Sequence, residues 1–148
     1  MPTLTRWFLK AGLIYFLCSL ILAVLLSLGR AVPALYFVQN GWPVFYHFFF
    51  VGWITQIIFG VSYWMFPPLS REMPRGDLRF GWAAFILLNG GLLLRAFSEP
   101  FLRSHPAAVY QWMLVASGIL QFLAGLSYLA LIWGRVKPGP VKRSARNA

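Results

Sequence analysis

Two histidines have the clearest capacity for chemistry in this sequence. His47 lies in the otherwise apolar stretch "FYHFFFVGWITQIIFGVSYWMFPP", and His105 lies in "RSHPAAVYQW". A neutral imidazole can ligate haem iron or copper through one nitrogen while a neighbouring acceptor orients the other. The alternatives are an interfacial histidine hydrogen-bonded to a loop for His47 and a surface turn for His105.

Four apolar segments must position these histidines. The chain is 59% hydrophobic and only 11% charged, which is more apolar surface than a small soluble domain can bury. The segments cover residues 8–28, 43–66, 80–97 and 107–133, and each approaches or exceeds the roughly 17–25 residues that cross a hydrocarbon core. Backbone groups in lipid must bond to each other, which favours helices. The sequence therefore predicts an all-α integral membrane four-helix bundle over residues 1–136, followed by a basic cytoplasmic tail at 137–148.

Prolines mark the predicted helix boundaries. Pro43 suits the first turn of the second helix, and Pro67 follows its end. The tripeptide "SEP", which ends at Pro100, is predicted to close the third helix, and Pro106 precedes the fourth.

The basic residues predict the orientation of the bundle. Ten of the 13 Lys and Arg residues lie at the two termini and in the connection between the second and third helices. Arg30, Arg95 and Arg103 lie on the other side. The positive-inside rule then predicts a multi-pass protein of the bacterial inner membrane with both termini in the cytoplasm. The net charge of +10 is expected to contact lipid headgroups rather than nucleic acid.

Both histidines fall on the predicted outer side of the membrane. The sequence is compatible with several sources of a second metal ligand there. A second metal ligand for His47 can come from His105, from another copy in a homodimer, or from another subunit. Arg95 and Arg103 can pair with haem propionates, because guanidinium suits bidentate carboxylate recognition. The alternative role of Arg95 and Arg103 is contact with lipid headgroups. Glu99, four residues after Arg95, is then the ion-pair partner of Arg95.

The second helix has two predicted faces at about 100° per residue. One face carries His47 and mostly aliphatic residues. The other carries small or polar residues: Gly52, Gln56, Gly60 and Tyr63. Glycines allow close helix approach, and Gln56 can bond across such a contact; binding a quinone or porphyrin is its alternative role. His47 is therefore predicted to face away from this packing surface.

A short internal repeat links the second and fourth helices. "QIIFGVSY" begins at Gln56 and "QFLAGLSY" begins at Gln121. Duplication of a helical hairpin explains the pattern, and so does chance among apolar helices.

The segment from Trp42 to Pro68, which contains "YHFFFVGWITQIIFGVSYWMFP", resembles the second helix of the haem–copper oxidase large subunit (cytochrome c oxidase subunit I). In that family, a histidine near the outer end of this helix is an axial ligand of the low-spin haem. The resemblance implies that His47 binds haem b in electron transfer or haem handling, with a quinone or cytochrome as redox partner. The ligands of the oxygen-reducing centre come from later helices that have no counterpart here, so catalysis by this chain alone is not implied.

The alternative function is a non-catalytic structural or assembly subunit of a respiratory or photosynthetic membrane complex. Short predicted loops and few polar residues inside the helices favour this interpretation. The expected partners are the lipid bilayer and helices of other membrane subunits.

Overall fold

The computed structural model describes residues 1–70, 73–104 and 107–136, with positions 36, 37, 103 and 104 described by backbone alone. The second helix is composite and consists of four consecutive segments. In chain order, the elements are α1 (Thr3–Ala31), a 3-10 segment (Pro33–Gly41), α2 (Trp42–Tyr46), a π segment (His47–Thr55), α3 (Gln56–Met65), α4 (Leu78–Ser104) and α5 (Ala108–Trp133). We call the run from Pro33 to Met65 the composite helix.

Four helical stretches are long and apolar enough to cross a membrane: Thr3–Ala31, Val38–Met65, Leu78–Leu102 and Ala108–Trp133. The prediction of an all-helical chain with four such helices is confirmed for the described residues. The helices extend beyond most of the predicted boundaries because polar residues at helix ends continue the backbone hydrogen bonding that the apolar run begins.

The predicted end of the third helix at "SEP" is wrong. Helix α4 continues through Pro100 to Ser104. Proline inside a helix removes a hydrogen bond and costs about 3 kcal/mol or more in water. Helices packed in an apolar environment tolerate it, because neighbouring helices and Ser or Thr side chains compensate. Ser98, two residues before the proline, donates from its Oγ to Leu94 O at 2.8 Å.

The π segment is a feature of the composite helix that the sequence pattern did not predict. Within this segment Thr55 Oγ1 donates to Phe50 O at 2.9 Å. The separation of five residues matches the wide turn of a π-helix. A π turn holds more residues than an α turn and is rare outside short bulges. Residues before the segment are therefore rotated about the helix axis relative to their positions on an uninterrupted α-helix.

The bundle is built from two helical hairpins. Helix α1 packs along the composite helix, and α4 packs along α5. The first contact is close because Gly52 lies against Tyr15 and Gly60 lies against Phe8. The predicted packing face is confirmed, since all four of its residues, Gly52, Gln56, Gly60 and Tyr63, are buried.

A pair of amides joins the two hairpins. Gln56 is fully buried, and its Nε2 donates to Asn89 Oδ1 of α4 at 3.2 Å. Asn89 Nδ2 in turn donates to Phe85 O at 2.8 Å. Such bonds stabilise helix contacts within an apolar environment. The predicted role of Gln56 in bonding across a helix contact is thus confirmed.

Replacing Gln56 with leucine is expected to lower the free energy of unfolding by about 0.6–2 kcal/mol, because Asn89 loses its partner across the interface. Asn89→Leu should have a similar effect, and the double variant should lose less than the sum of the two. The measurement is unfolding in mixed detergent micelles. Thr55→Val, which removes a bond within one helix, is the matched control. Strictly additive losses would contradict the amide pair.

The two copies of the repeat also meet. Tyr128 OH donates to Phe59 O at 2.9 Å and bonds to Ser62 Oγ. The rings of Tyr128 and Phe59 are stacked with centroids 3.7 Å apart. The repeat therefore supplies contacts between the second and fourth spans, whatever its origin.

Candidate functional site

His47 begins the π segment, and both of its ring nitrogens are bonded within the chain. Nδ1 lies 2.9 Å from Pro43 O, and Nε2 lies 2.7 Å from Arg95 Nη1. A carbonyl oxygen only accepts hydrogen bonds and a guanidinium only donates them. Nδ1 must therefore carry the proton, and Nε2 accepts from Arg95. This geometry assigns a neutral imidazole to His47.

Arg95 connects the histidine to a carboxylate on its own helix. Its Nε donates to Glu99 Oε2 at 3.0 Å, and the side chains of Arg95 and Glu99 are 22% and 14% exposed. The spacing of four residues places the two on one face of α4. The predicted Arg95–Glu99 ion pair is confirmed. Together, Glu99, Arg95 and His47 form a hydrogen-bonded chain that we call the outer network, after the side of the membrane predicted for it.

The outer network ties the composite helix to α4. The carboxylate of Glu99 balances the charge of Arg95, so the guanidinium can lie in a partly buried position without an uncompensated charge. The Nδ1 bond to Pro43 O holds the imidazole plane, and Arg95 reaches it from the neighbouring helix. The arrangement resembles the polar links that join helices inside membranes.

The predicted orientation of His47 is wrong. It was expected on the face opposite Gly52, Gln56 and Gly60, yet it is half-buried and bonded to α4. The angular projection assumed an α-helix through Thr55, whereas the π segment begins at His47 itself. The wider turns change the angle between His47 and the glycine face.

The other predicted site residues are not brought into this network by the described part of the structure. His105 lies outside the described residues, and so does the side chain of Arg103. The suggested pairing of His47 with His105 therefore stays a prediction, as do contacts of Arg103 with a propionate.

As arranged here, His47 does not fit the role of an axial haem ligand. The lone pair of Nε2, which would bind iron, accepts the hydrogen bond of Arg95, so a cation already lies where iron would have to lie.

A second buried charged side chain, which was not predicted from the sequence, lies at the opposite end of the composite helix. Arg135 is 2% exposed and donates to three carbonyls: Tyr63 O at 3.0 Å, Phe66 O at 2.6 Å and Pro67 O at 3.0 Å. These are carbonyls at the C-terminus of α3, where acceptors lack partners and a positive charge is favourable.

Burial of Arg135 has an electrostatic cost that its partners offset. Desolvation lowers the pKa of Arg135 from its ordinary value, although a guanidinium stays charged in proteins. The guanidinium also lies 5.5 Å from the centroid of the Tyr63 ring, a favourable cation–π distance. From the sequence, Arg135 was only one of the charges that predict the orientation. A basic residue shortly after a helix suggests bonds to the last carbonyls of that same helix, and no sequence signal indicated that Arg135 would bind the end of α3 instead.

Comparisons with protein-family models, with curated proteins and with solved structures each found no match to this chain. The resemblance to the oxidase large subunit therefore rests on the residues quoted above. The contacts of the outer network and of Arg135 are the basis on which a function can be argued.

Proposed function

We propose that this chain is a non-catalytic structural subunit of a respiratory or photosynthetic complex in the bacterial inner membrane, with both termini in the cytoplasm. The observation that carries this proposal is the outer network. Both ring nitrogens of His47 bond within the bundle, and the Arg95 guanidinium bonds to His47 and Glu99. Two of the candidate site residues, His47 and Arg95, thus hold helices together.

The surface of the bundle supports the same proposal. Its polar side chains Gln56 and Asn89 pair inside, whereas large apolar and aromatic side chains face outward. Trp112 and Trp133, at opposite ends of α5, are each 72% exposed, and such rings favour the membrane interface. This surface suits lipid and the helices of other subunits or of a second copy. Membership of a complex and the side of each terminus follow from the sequence predictions given above.

His47→Ala is expected to lower the free energy of unfolding by about 1–3 kcal/mol, because Pro43 O and Arg95 lose a partly buried partner. Arg95→Gln should have a comparable effect through the same bond. The measurements are the unfolding transition and the visible absorption spectrum of the full chain, purified in mild detergent from haem-supplied cells. Tyr46→Phe, which changes an exposed neighbour of His47, is the matched control and should behave as the unmodified chain.

The spectrum separates the structural role from haem binding. The structural role predicts no Soret band in the unmodified chain or in either variant. A Soret band that disappears in His47→Ala and persists in Tyr46→Phe would overturn the proposal in favour of haem ligation. Complex membership is tested separately, since stoichiometric partner subunits should remain with the unmodified chain through purification and be partly lost from His47→Ala.

A further inference from the structure

A pocket of about 770 Å³ lies at the end of the bundle opposite the outer network. It is bordered by the first turn of α1, the connection after α3 and the first turn of α4. Leu4 and Trp82 contribute apolar walls, and Arg75 and Arg79 contribute positive charge. The pocket thus combines cationic and apolar surface where the helices end.

One residue of the pocket lining carries a buried hydroxyl group that has no partner in the described part of the chain. Tyr63 lines the pocket and is 0% exposed, and its OH has no hydrogen-bond partner among the described residues. Leaving a buried hydroxyl unpaired costs free energy, so native structures seldom do so without a reason. An acceptor atom from a bound molecule would satisfy this donor.

The basic side chains of the pocket are also without an acidic partner in the described ranges. The ion pair that the described residues form, Arg95–Glu99, lies at the other end of the bundle. Asp77 also lines the pocket, and its carboxylate accepts the backbone N–H of Arg79 at 2.9 Å and so caps α4. Arg75 and Arg79 line the same pocket as Tyr63. Positive charge therefore lies in the pocket that Tyr63 borders.

We propose that this pocket binds the phosphate headgroup of an anionic phospholipid. The Tyr63 hydroxyl donates to a phosphate oxygen, and Arg75 and Arg79 supply charge-assisted bonds to the same group. The apolar walls formed by Leu4 and Trp82 suit the beginning of the acyl chains. Basic pockets at the ends of membrane helices are suited to acidic headgroups. A free phosphate would use the cationic side alone, so the lipid accounts for more of the site. This binding does not depend on the proposed structural function.

The test is lipid binding by the full chain in mild detergent, measured by native mass spectrometry. The probes are dioctanoyl phosphatidylglycerol, dioctanoyl phosphatidylcholine and inorganic phosphate. The anionic lipid is expected to bind about tenfold more tightly than the zwitterionic lipid or inorganic phosphate. Tyr63→Phe and Arg75→Gln should each weaken phosphatidylglycerol binding about tenfold. The matched controls, Tyr46→Phe and Arg30→Gln at the other end of the bundle, should leave it unchanged.

Folding is checked by comparing the variants without lipid. Tyr63→Phe should be at least as stable as the unmodified chain in lipid-free detergent, because it removes an unpaired buried hydroxyl. Equal affinity for the two lipids would overturn the proposal, as would unchanged phosphatidylglycerol binding in both Tyr63→Phe and Arg75→Gln. Inorganic phosphate that binds as tightly as phosphatidylglycerol would assign the site to a free anion and overturn the lipid assignment.

Discussion

Replacing Gly52 with alanine is expected to destabilise the bundle by about 1–3 kcal/mol. A Cβ at position 52 would lie 2.7 Å from Tyr15 Cγ and 2.8 Å from Tyr15 Cβ. Rotation about χ1 of Tyr15 moves Cγ but leaves Cβ in place, so a rotamer change cannot remove the contact and α1 itself must shift. The measurement is the free energy of unfolding in mixed detergent micelles.

Gly118→Ala is the matched control for this prediction. A Cβ at position 118 of α5 would meet no described atom within 4 Å. Alanine has the higher helix propensity, so this variant should be neutral or more stable by up to about 1 kcal/mol. Equal effects of Gly52→Ala and Gly118→Ala would show that α1 and the composite helix do not approach closely at Gly52.

Arg135→Ala is expected to destabilise the chain by about 3 kcal/mol. The variant removes charge-assisted hydrogen bonds to three carbonyls at the C-terminus of α3 and leaves buried acceptors unpaired. It also removes the positive charge that complements the helix dipole. The measurement is the unfolding transition of the purified chain, with proteolysis of the connection after α3 as a local probe.

Arg135→Lys separates the geometry of the guanidinium from its charge. A lysine ammonium keeps the charge and lacks the planar fork, so it should recover only part of the lost stability. Arg6→Ala removes an exposed charge on the same predicted side and should have little effect. Full recovery by lysine would mean that charge alone, rather than bonding to three carbonyls, accounts for the role of Arg135.

The glycine face of the composite helix could be predicted because α3 is a regular α-helix. Gln56, Gly60 and Tyr63 lie within or at the start of that helix, so their spacing translates directly into a common direction. Glycine and an amide in an otherwise apolar helix already indicate close packing and bonding across a contact. Asn89 as the partner of Gln56 was not predictable, because pairing depends on the rotation of α4.

The environment of His47 was not predictable for a different reason. A π segment has no simple sequence signature, and an aromatic run such as that from Phe48 to Phe50 is equally compatible with an α-helix. A projection at a constant angle therefore placed His47 on the wrong face. The ion pair of Arg95 with Glu99 was predictable, since it depends only on a spacing of four residues within one helix.

The sequence by itself determined the number of apolar helices, because the need to satisfy backbone hydrogen bonds without water acts on each segment separately. It also determined the Arg95–Glu99 ion pair, which depends only on spacing within one helix. Only the tertiary structure decided that Arg95 bonds to His47, that Arg135 binds the end of α3, and that Tyr63 borders a pocket. These contacts join residues distant along the chain, and they depend on how each helix is rotated and placed against its neighbours.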